Sequence, residues 1–191
     1  LSGAVEGLIH LIKASVPRKI EIDFDLDKDV PFVEADITQI RQVIMNLIIN
    51  AAEAIEDKAG RILIRTGRRI IDAGIQSTAY LDRELPEGGY VFLEVEDTGC
   101  GISHDALERV FDPFYTTKFM GRGLGLAAVS GIIRQHNGAI MVRSHHDEGT
   151  CFTVLLPPVE RVNEPVDDNA VSEPLTFGGG TVLVVDDEDY V

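Results

Sequence analysis

Three things are scarce in this sequence: cysteine, positive charge and unbroken apolar stretches. Cys100 and Cys151 are the only cysteines and form no CxxC pair. That is too few for a disulfide framework, and reduced thiols of a cytoplasmic chain are the simplest reading. No apolar run approaches the ~18 residues of a membrane span. The longest stretches are interrupted by polar residues such as Asn46 and Asn50. No charged segment followed by an apolar one stands at the start, so no signal peptide is read. Lys and Arg number 17 against 32 Asp and Glu, a net charge of −15. Nucleic acids and anionic membrane surfaces need a basic footprint, so both are poor partners for this segment. The chain starts at Leu1 and stops abruptly at Val191, which suggests a piece of a longer protein, soluble or membrane-anchored.

What is present is globular. The 191 residues are 45% hydrophobic and 26% charged, enough for one sizeable core. Charge is uneven: residues 160–191 hold nine acidic groups and one basic, over half of the excess. Pro157-Pro158 closes a domain of residues 1–158. Residues 159–180 have the Pro, Glu, Asp and Gly content of a linker. Thr181 to Val185 is an apolar, β-branched run that reads as a buried strand ending in Asp186-Asp187.

Within 1–158 the pattern alternates between strand and helix. Val5, Leu8, Ile9, Leu11 and Ile12 follow helical spacing, ended by Pro17. Ile20, Ile22 and Phe24 alternate with acids as in a half-exposed strand, and Phe32-Val33-Glu34 fits a second. Asp36 reads as an N-cap with Gln39 as capping-box partner, opening a helix to about Asp57 with Gly60 past its end. Arg61–Arg65 and Tyr90–Glu96 read as strands, and Asp72 to Gly89 between them as a hairpin excursion. Ser103 opens a short helix to about Val110, and Phe111 to Arg122 is a loop. Gly125 to His136 is a helix stopped by Asn137-Gly138, and His136 reads as a C-terminal cation. Ala139–Arg143 and Cys151–Leu156 are strands joined through Asp147-Glu148-Gly149.

Three places carry candidate chemistry. Asn46 and Asn50 lie four apart on one face of the long helix, and Glu53 continues that side. Amides on a largely apolar helix need partners. A backbone-bonding network and a hard-cation site such as Mg²⁺ both meet that need. Asp97 ends its strand on the apolar side, followed by Gly99 and Gly101. A carboxylate there accepts from an exocyclic amine such as that of adenine, and the glycines admit a flat ring. An Asp-led turn explains the same residues. Gly121-Arg122-Gly123-Leu124-Gly125-Leu126 precedes a helix but follows a loop, so it is neither a dinucleotide fingerprint nor a Walker loop. Glycine-rich backbone at a helix N-terminus suits an anion, with Lys118 and Arg122 alongside.

In order, Asn46–Asn50, Asp97-x-Gly99-x-Gly101, Phe111-Asp112-Pro113-Phe114-Tyr115-Thr116-Thr117-Lys118, Gly121-x-Gly123-x-Gly125 and Gly149-Thr150 resemble five boxes. They are the N, G1, F, G2 and G3 boxes of the ATP-binding catalytic domain of sensor histidine kinases. That domain belongs to the gyrase, chaperone, histidine kinase and mismatch-repair ATPase superfamily. The resemblance implies a two-layer α/β sandwich, a mixed sheet with helices on one face. It implies that Asn50 ligates Mg²⁺, Asn46 sits by the phosphates and Asp97 binds the adenine amine. Gly99, Gly101 and Ile102 would wall the base, and Thr150 would support it through water. Phe111 to Gly121 would be a mobile lid with Thr116, Thr117 and Lys118 near the phosphates, while Phe111 and Phe114 could equally anchor the lid to the core. Gly123, Leu124, Gly125 and Leu126 would offer backbone amides to the phosphates. Thr181 to Asp189 resembles the first strand of a response-regulator receiver domain, with Asp186 and Asp187 as its Mg²⁺ ligands. The parent then resembles a hybrid kinase whose receiver is truncated here.

The histidine that such kinases phosphorylate lies on a dimerisation helix, in a His-Glu/Asp motif. His10 reads His-Leu-Ile-Lys and is taken as a surface or interface residue. The implied partners are therefore a separate dimerisation and phosphoacceptor domain and a receiver domain or response regulator. Hydrolases of the superfamily place a Glu one turn before the metal Asn, where this chain has Asn46. That favours phosphoryl transfer over hydrolysis. An ATPase or conformational clamp using Glu53, or a binding module without catalysis, are the alternatives.

Overall fold

The computed structural model describes residues 1–72, 80–115 and 123–159. The proposed receiver strand, nearly all of the linker, and Thr116, Thr117, Lys118, Gly121 and Arg122 lie outside them.

Two short helices, Ser2–Glu6 (α1) and Ile9–Ser15 (α2), replace the single helix expected at the start, the break falling at Gly7-Leu8. Their apolar side still buries Val5, Leu8 and Ile12. Ile20–Leu26 (β1) is followed by the long helix Ile37–Ile55 (α3). Ile40, Val43, Ile44, Leu47, Ile48, Ala51 and Ile55 form its buried stripe at helical spacing. Asp36 is the N-cap: its carboxylate accepts from the backbone N–H of Thr38 (2.7 Å) and Gln39 (3.1 Å). Those two bonds hold the Asp36 carboxyl below its ordinary range. The expected capping box does not form. The Asp36 N–H is taken by His136 Nε2 at 3.0 Å, and Gln39 Oε1 has no hydrogen-bond partner. The helix ends at Glu56 in the left-handed region (φ 58°), and Gly60 opens the next strand.

Gly60–Ile71 (β2), Tyr80–Leu81 (β3), Gly88–Asp97 (β4), Ala139–His145 (β5) and Gly149–Leu156 (β6) complete one sheet. Its order is β1-β2-β4-β6-β5-β3. β1 and β2 are parallel and the other pairs antiparallel, so the sheet is mixed as expected. Two expectations need correction. The stretch after Asp72 is not a hairpin between β2 and β4, because Tyr80 and Leu81 pair with Val142 and Met141 at the far edge. Phe32-Val33-Glu34 is not a strand; Phe32 makes one bridge, to Val159, the residue read as starting the linker. A one-turn helix, His104–Leu107 (α4), and the helix Gly125–Gln135 (α5) finish the set.

α1 to α3 and α5 cover one face, burying Ile62, Ile64, Leu93, Val95, Ile140, Val142, Phe152 and Val154. Strand alternation sends Tyr90, Met141 and Leu155 to the other face, where Ile71, Leu85 and Ala139 form a smaller cluster. α3 and α5 run antiparallel: Asp36 at the start of α3 meets His136 past the end of α5, and Gly125 at the start of α5 lies by Asn50.

Candidate functional site

A cavity of about 640 Å³ opens between the later turns of α3, the ends of β4 and β6, and the start of α5. Asn46, Asn50 and Glu53 line it from α3, as their shared helix face requires. Asn46 and Asn50 are half-buried, while Glu53 is exposed. Asn50 Nδ2 is shut off from solvent and has no hydrogen-bond partner. The backbone-network explanation of the amide pair thus fails for that end of Asn50. Rotation of the amide exchanges its donor and acceptor ends. An unpartnered amide beside a carboxylate is a hard-oxygen donor set that fits Mg²⁺.

The far end of the cavity is built around Asp97, which is 4% exposed. Its Oδ1 accepts from the Gly99 N–H at 2.8 Å, the Asp-led turn expected for this motif. Gly99 departs from its expected role. It packs on α3, where a Cβ would stand 2.6 Å from the Ala54 carbonyl carbon, and Cys100 N–H donates to Ala54 O at 3.0 Å. It therefore joins loop to helix, while Gly101 and Ile102 line the cavity. Gly101 (φ 69°) and Gly149 (φ 101°) are both left-handed, and a Cβ on either would meet a carbonyl oxygen at 2.0 Å. Those oxygens belong to His145 and Asp97, so the loop and the β5–β6 hairpin close on one another.

Ser144, which sequence reasoning missed, sits in that closure. Its Oγ accepts from Ile102 N–H (2.8 Å), donates to Gly149 O (2.9 Å) and lies 3.0 Å from Thr150 Oγ1. Thr150 lines the cavity and is Ser144's cross-strand partner. Extending the expected β5 by one residue beyond Arg143 would have found it. Tyr115, from the expected lid, lines the cavity, and Ile49, Cys100 and Phe152 line it without having been foreseen. Ile49 had a signal, lying three residues after Asn46 on α3.

Gly123, Leu124, Gly125 and Leu126 line the side facing Asn50. No side chain caps α5, so its first N–H groups are left for another acceptor. Gly123 (φ 63°) lies against Phe114 and Tyr115, and Phe114 N–H donates to Gly123 O at 2.9 Å. Residues 115 and 123 are thus brought together. Arg109 stacks on the Tyr115 ring at 4.5 Å. Phe111 packs on the core, while the Phe114 ring is 76% exposed and lies outside that core cluster. His136 ties the end of α5 to the start of α3. Its Nε2 accepts from Asp36 N–H, so the ring proton is on Nδ1, which donates to Ile132 O at 2.8 Å.

On the opposite sheet face, Glu94 is 1% exposed. Arg65 (2.5 Å), Arg69 (3.2 Å) and Arg143 (3.5 Å) surround it, and the Thr153 hydroxyl donates to it at 2.8 Å. Burial alone would raise its carboxyl; Thr153, Arg69 and Arg65 outweigh that and hold it low. Burial, with Glu94 beside it, pushes the Cys151 thiol up to about 11. Glu94, Glu96 and Cys151 lie close enough to hold a metal, but guanidiniums already neutralise both carboxylates. The cluster is therefore structural. No helix among the described residues is long and apolar enough to cross a membrane.

A mixed sheet covered on one face by helices, with an amide-lined cavity at the mouth of a glycine-capped helix, defines a class of ATP-binding domain. Residues 35–160 match the family of histidine kinase-, DNA gyrase B- and HSP90-like ATPases. The chain belongs to that family, and its relatives mark it as the catalytic ATP-binding domain of the histidine kinase branch. It is 41% identical to the sensor kinase CckA of Brucella abortus, along 100% of this chain and 21% of that protein. It is 43% identical to the sensory histidine kinase/phosphatase NtrB of Rhizobium meliloti, along 77% of this chain and 37% of that one. Among solved structures, full-length ShkA in complex with AMPPNP aligns with a TM-score of 0.64 at 30% identity, over 83% of this chain and 30% of that one. Histidine kinase ThkA in complex with the response regulator TrrA aligns with a TM-score of 0.61 at 28% identity, over 83% and 40%. The chain thus spans well under half the length of these curated relatives.

Proposed function

We propose that this domain binds Mg²⁺-ATP in the cavity between α3 and α5 and presents the γ-phosphoryl group to a histidine on a separate dimerisation domain. The observation that carries this is the unpartnered amide of Asn50, facing an uncapped helix N-terminus across the cavity. Asp97 at the opposite end accepts the adenine amine, with Gly101, Ile102 and Thr150 around the base. The N–H groups at Gly123 to Leu126 receive phosphate oxygens, and Lys118, Arg122, Thr116, Thr117 and Gly121 complete that end. Asn50, with Asn46 and Glu53 beside it, would hold Mg²⁺, and the bound ion would supply positive charge beside the phosphates.

Catalysis here is positioning and electrostatics, and the acceptor histidine attacks in line. No carboxylate stands one turn before Asn50, which favours transfer over hydrolysis. The relatives' names support the same assignment: they are sensor kinases, and ThkA was solved with a response regulator. Two-component phosphorelay signalling at the cytoplasmic side is the proposed setting. The composition of residues 159–180 and the apolar run Thr181 to Val185 before Asp186-Asp187 support a tail made of a linker followed by the opening strand of a receiver domain.

Titration of wild type and Asn50→Ala with Mg²⁺-ATP tests the site. Loss of affinity in the variant is expected, and equal binding overturns the metal assignment. Addition of a purified dimerisation and phosphoacceptor domain should yield phosphohistidine. Phosphate release without it, abolished by Glu53→Gln, would favour the ATPase alternative.

A further inference from the structure

Ser144 does not line the cavity, yet its hydroxyl is bonded on all sides. A serine hydroxyl has one proton and two lone pairs. Gly149 O is a carbonyl and only accepts, so the Ser144 proton goes there, at 2.9 Å. Ile102 N–H only donates, so it occupies one lone pair, at 2.8 Å. At the 3.0 Å contact with Thr150 Oγ1, Ser144 has no proton left to give. Thr150 therefore donates, and the lone pairs of its own oxygen are what remains for the cavity it lines. Asp97, an acceptor by charge, closes the same end.

Resting on the proposed nucleotide site, we infer that Ser144 is a positioning residue for base specificity: it orients the Thr150 hydroxyl so that both polar side chains at the base end, Thr150 and Asp97, offer acceptors. Such an end favours a purine whose six-position carries an amine, which donates, over one carrying a carbonyl oxygen, which accepts. Ser144 also holds Ile102, so one hydroxyl sets both the polarity and the placement of that wall. In Ser144→Ala the Thr150 proton is released and can turn toward the cavity, where it would donate to a six-position carbonyl.

The test is calorimetric titration of this chain with Mg²⁺-ATP and with Mg²⁺-ITP, which differ at the six-position. Wild type should prefer ATP. Ser144→Ala should lose about tenfold of that preference, about one hydrogen bond's worth. Ser144→Thr should restore it. Thr150→Val should lose it to the same degree, and the double variant should be no worse than either single, because both act through one hydroxyl. Thr150→Val also decides the matter if Ser144→Ala does not fold. A Ser144→Ala or Thr150→Val protein that keeps the wild-type preference overturns the inference, as does a wild type that binds both nucleotides equally. A wild type that binds neither overturns the nucleotide site itself.

Discussion

Two buried polar groups on opposite sides of the sheet have opposite surroundings. Glu94, on the face without helices, is held by three arginines and a threonine. Asn50, on the helix-covered side, keeps an amide nitrogen with no partner at all. A carboxylate neutralised by three guanidiniums is committed to the fold, and its removal damages it. A polar atom buried without a partner costs stability, and its place at a cavity wall says where that cost is recovered. Exposure alone does not separate structure from site here. What separates them is charge pairing and place: guanidiniums neutralise Glu94, while the Asn50 nitrogen stands at a cavity wall.

The comparison breaks most visibly at Glu94. Glu94→Ala leaves Arg69 and Arg143 without their carboxylate and Arg65 with Glu96 alone. Because they are partly exposed, a loss of about 3 kcal/mol in urea unfolding is expected, the lower part of the usual range. Nucleotide affinity of the folded fraction should not change. The mirror-image outcome is expected for Asn50→Ala. Its affinity for Mg²⁺-ATP should fall about tenfold or more while the unfolding midpoint stays put or rises slightly. A destabilised Asn50→Ala protein would remove the contrast.

Acid should act on the structural side first. Glu94 and Asp36 both have carboxyls held low in the folded state. Their contribution is therefore present above the ordinary carboxylate pKa of about 4 and lost as pH falls through the folded values. Tm should drop as pH is lowered from 5 toward 3, and Asp36→Asn, which still caps the helix, should flatten part of that drop. The smallest effect belongs to His136→Phe, which gives up the bond to Asp36 N–H. About 1 kcal/mol is expected in the same unfolding assay.

Much of the site was legible because its signals are local. Asn46 and Asn50 share a helix face at any tertiary arrangement, and the glycines announce their loops. The buried stripe of α3 follows from period alone. What escaped depended on distant pairing. Tyr80–Leu81 carries too little pattern to reveal a strand that crosses to β5. Glu94 alternates out of the core and looks solvated until Arg69 arrives from the adjacent β2 and Arg143 from β5, two strands away. Ser144 gains meaning only through Ile102 and Thr150. The Gln39 capping box failed because a residue a hundred positions away, His136, took the N–H first.

That same His136 contact makes α3 and α5 into a pair of tongs. Their jaws are Asn50 and the mouth of α5 at Gly125; their pivot is the imidazole between Asp36 and Ile132. At about 1.5 Å per residue the pivot sits about 16 Å from the jaw on α5 and about 21 Å from the jaw on α3. A small tilt at the pivot is thus magnified where the jaws meet. The proposed metal ligand Asn50 and the proposed phosphate seat at Gly125 thus stand at the far ends of two arms joined at His136.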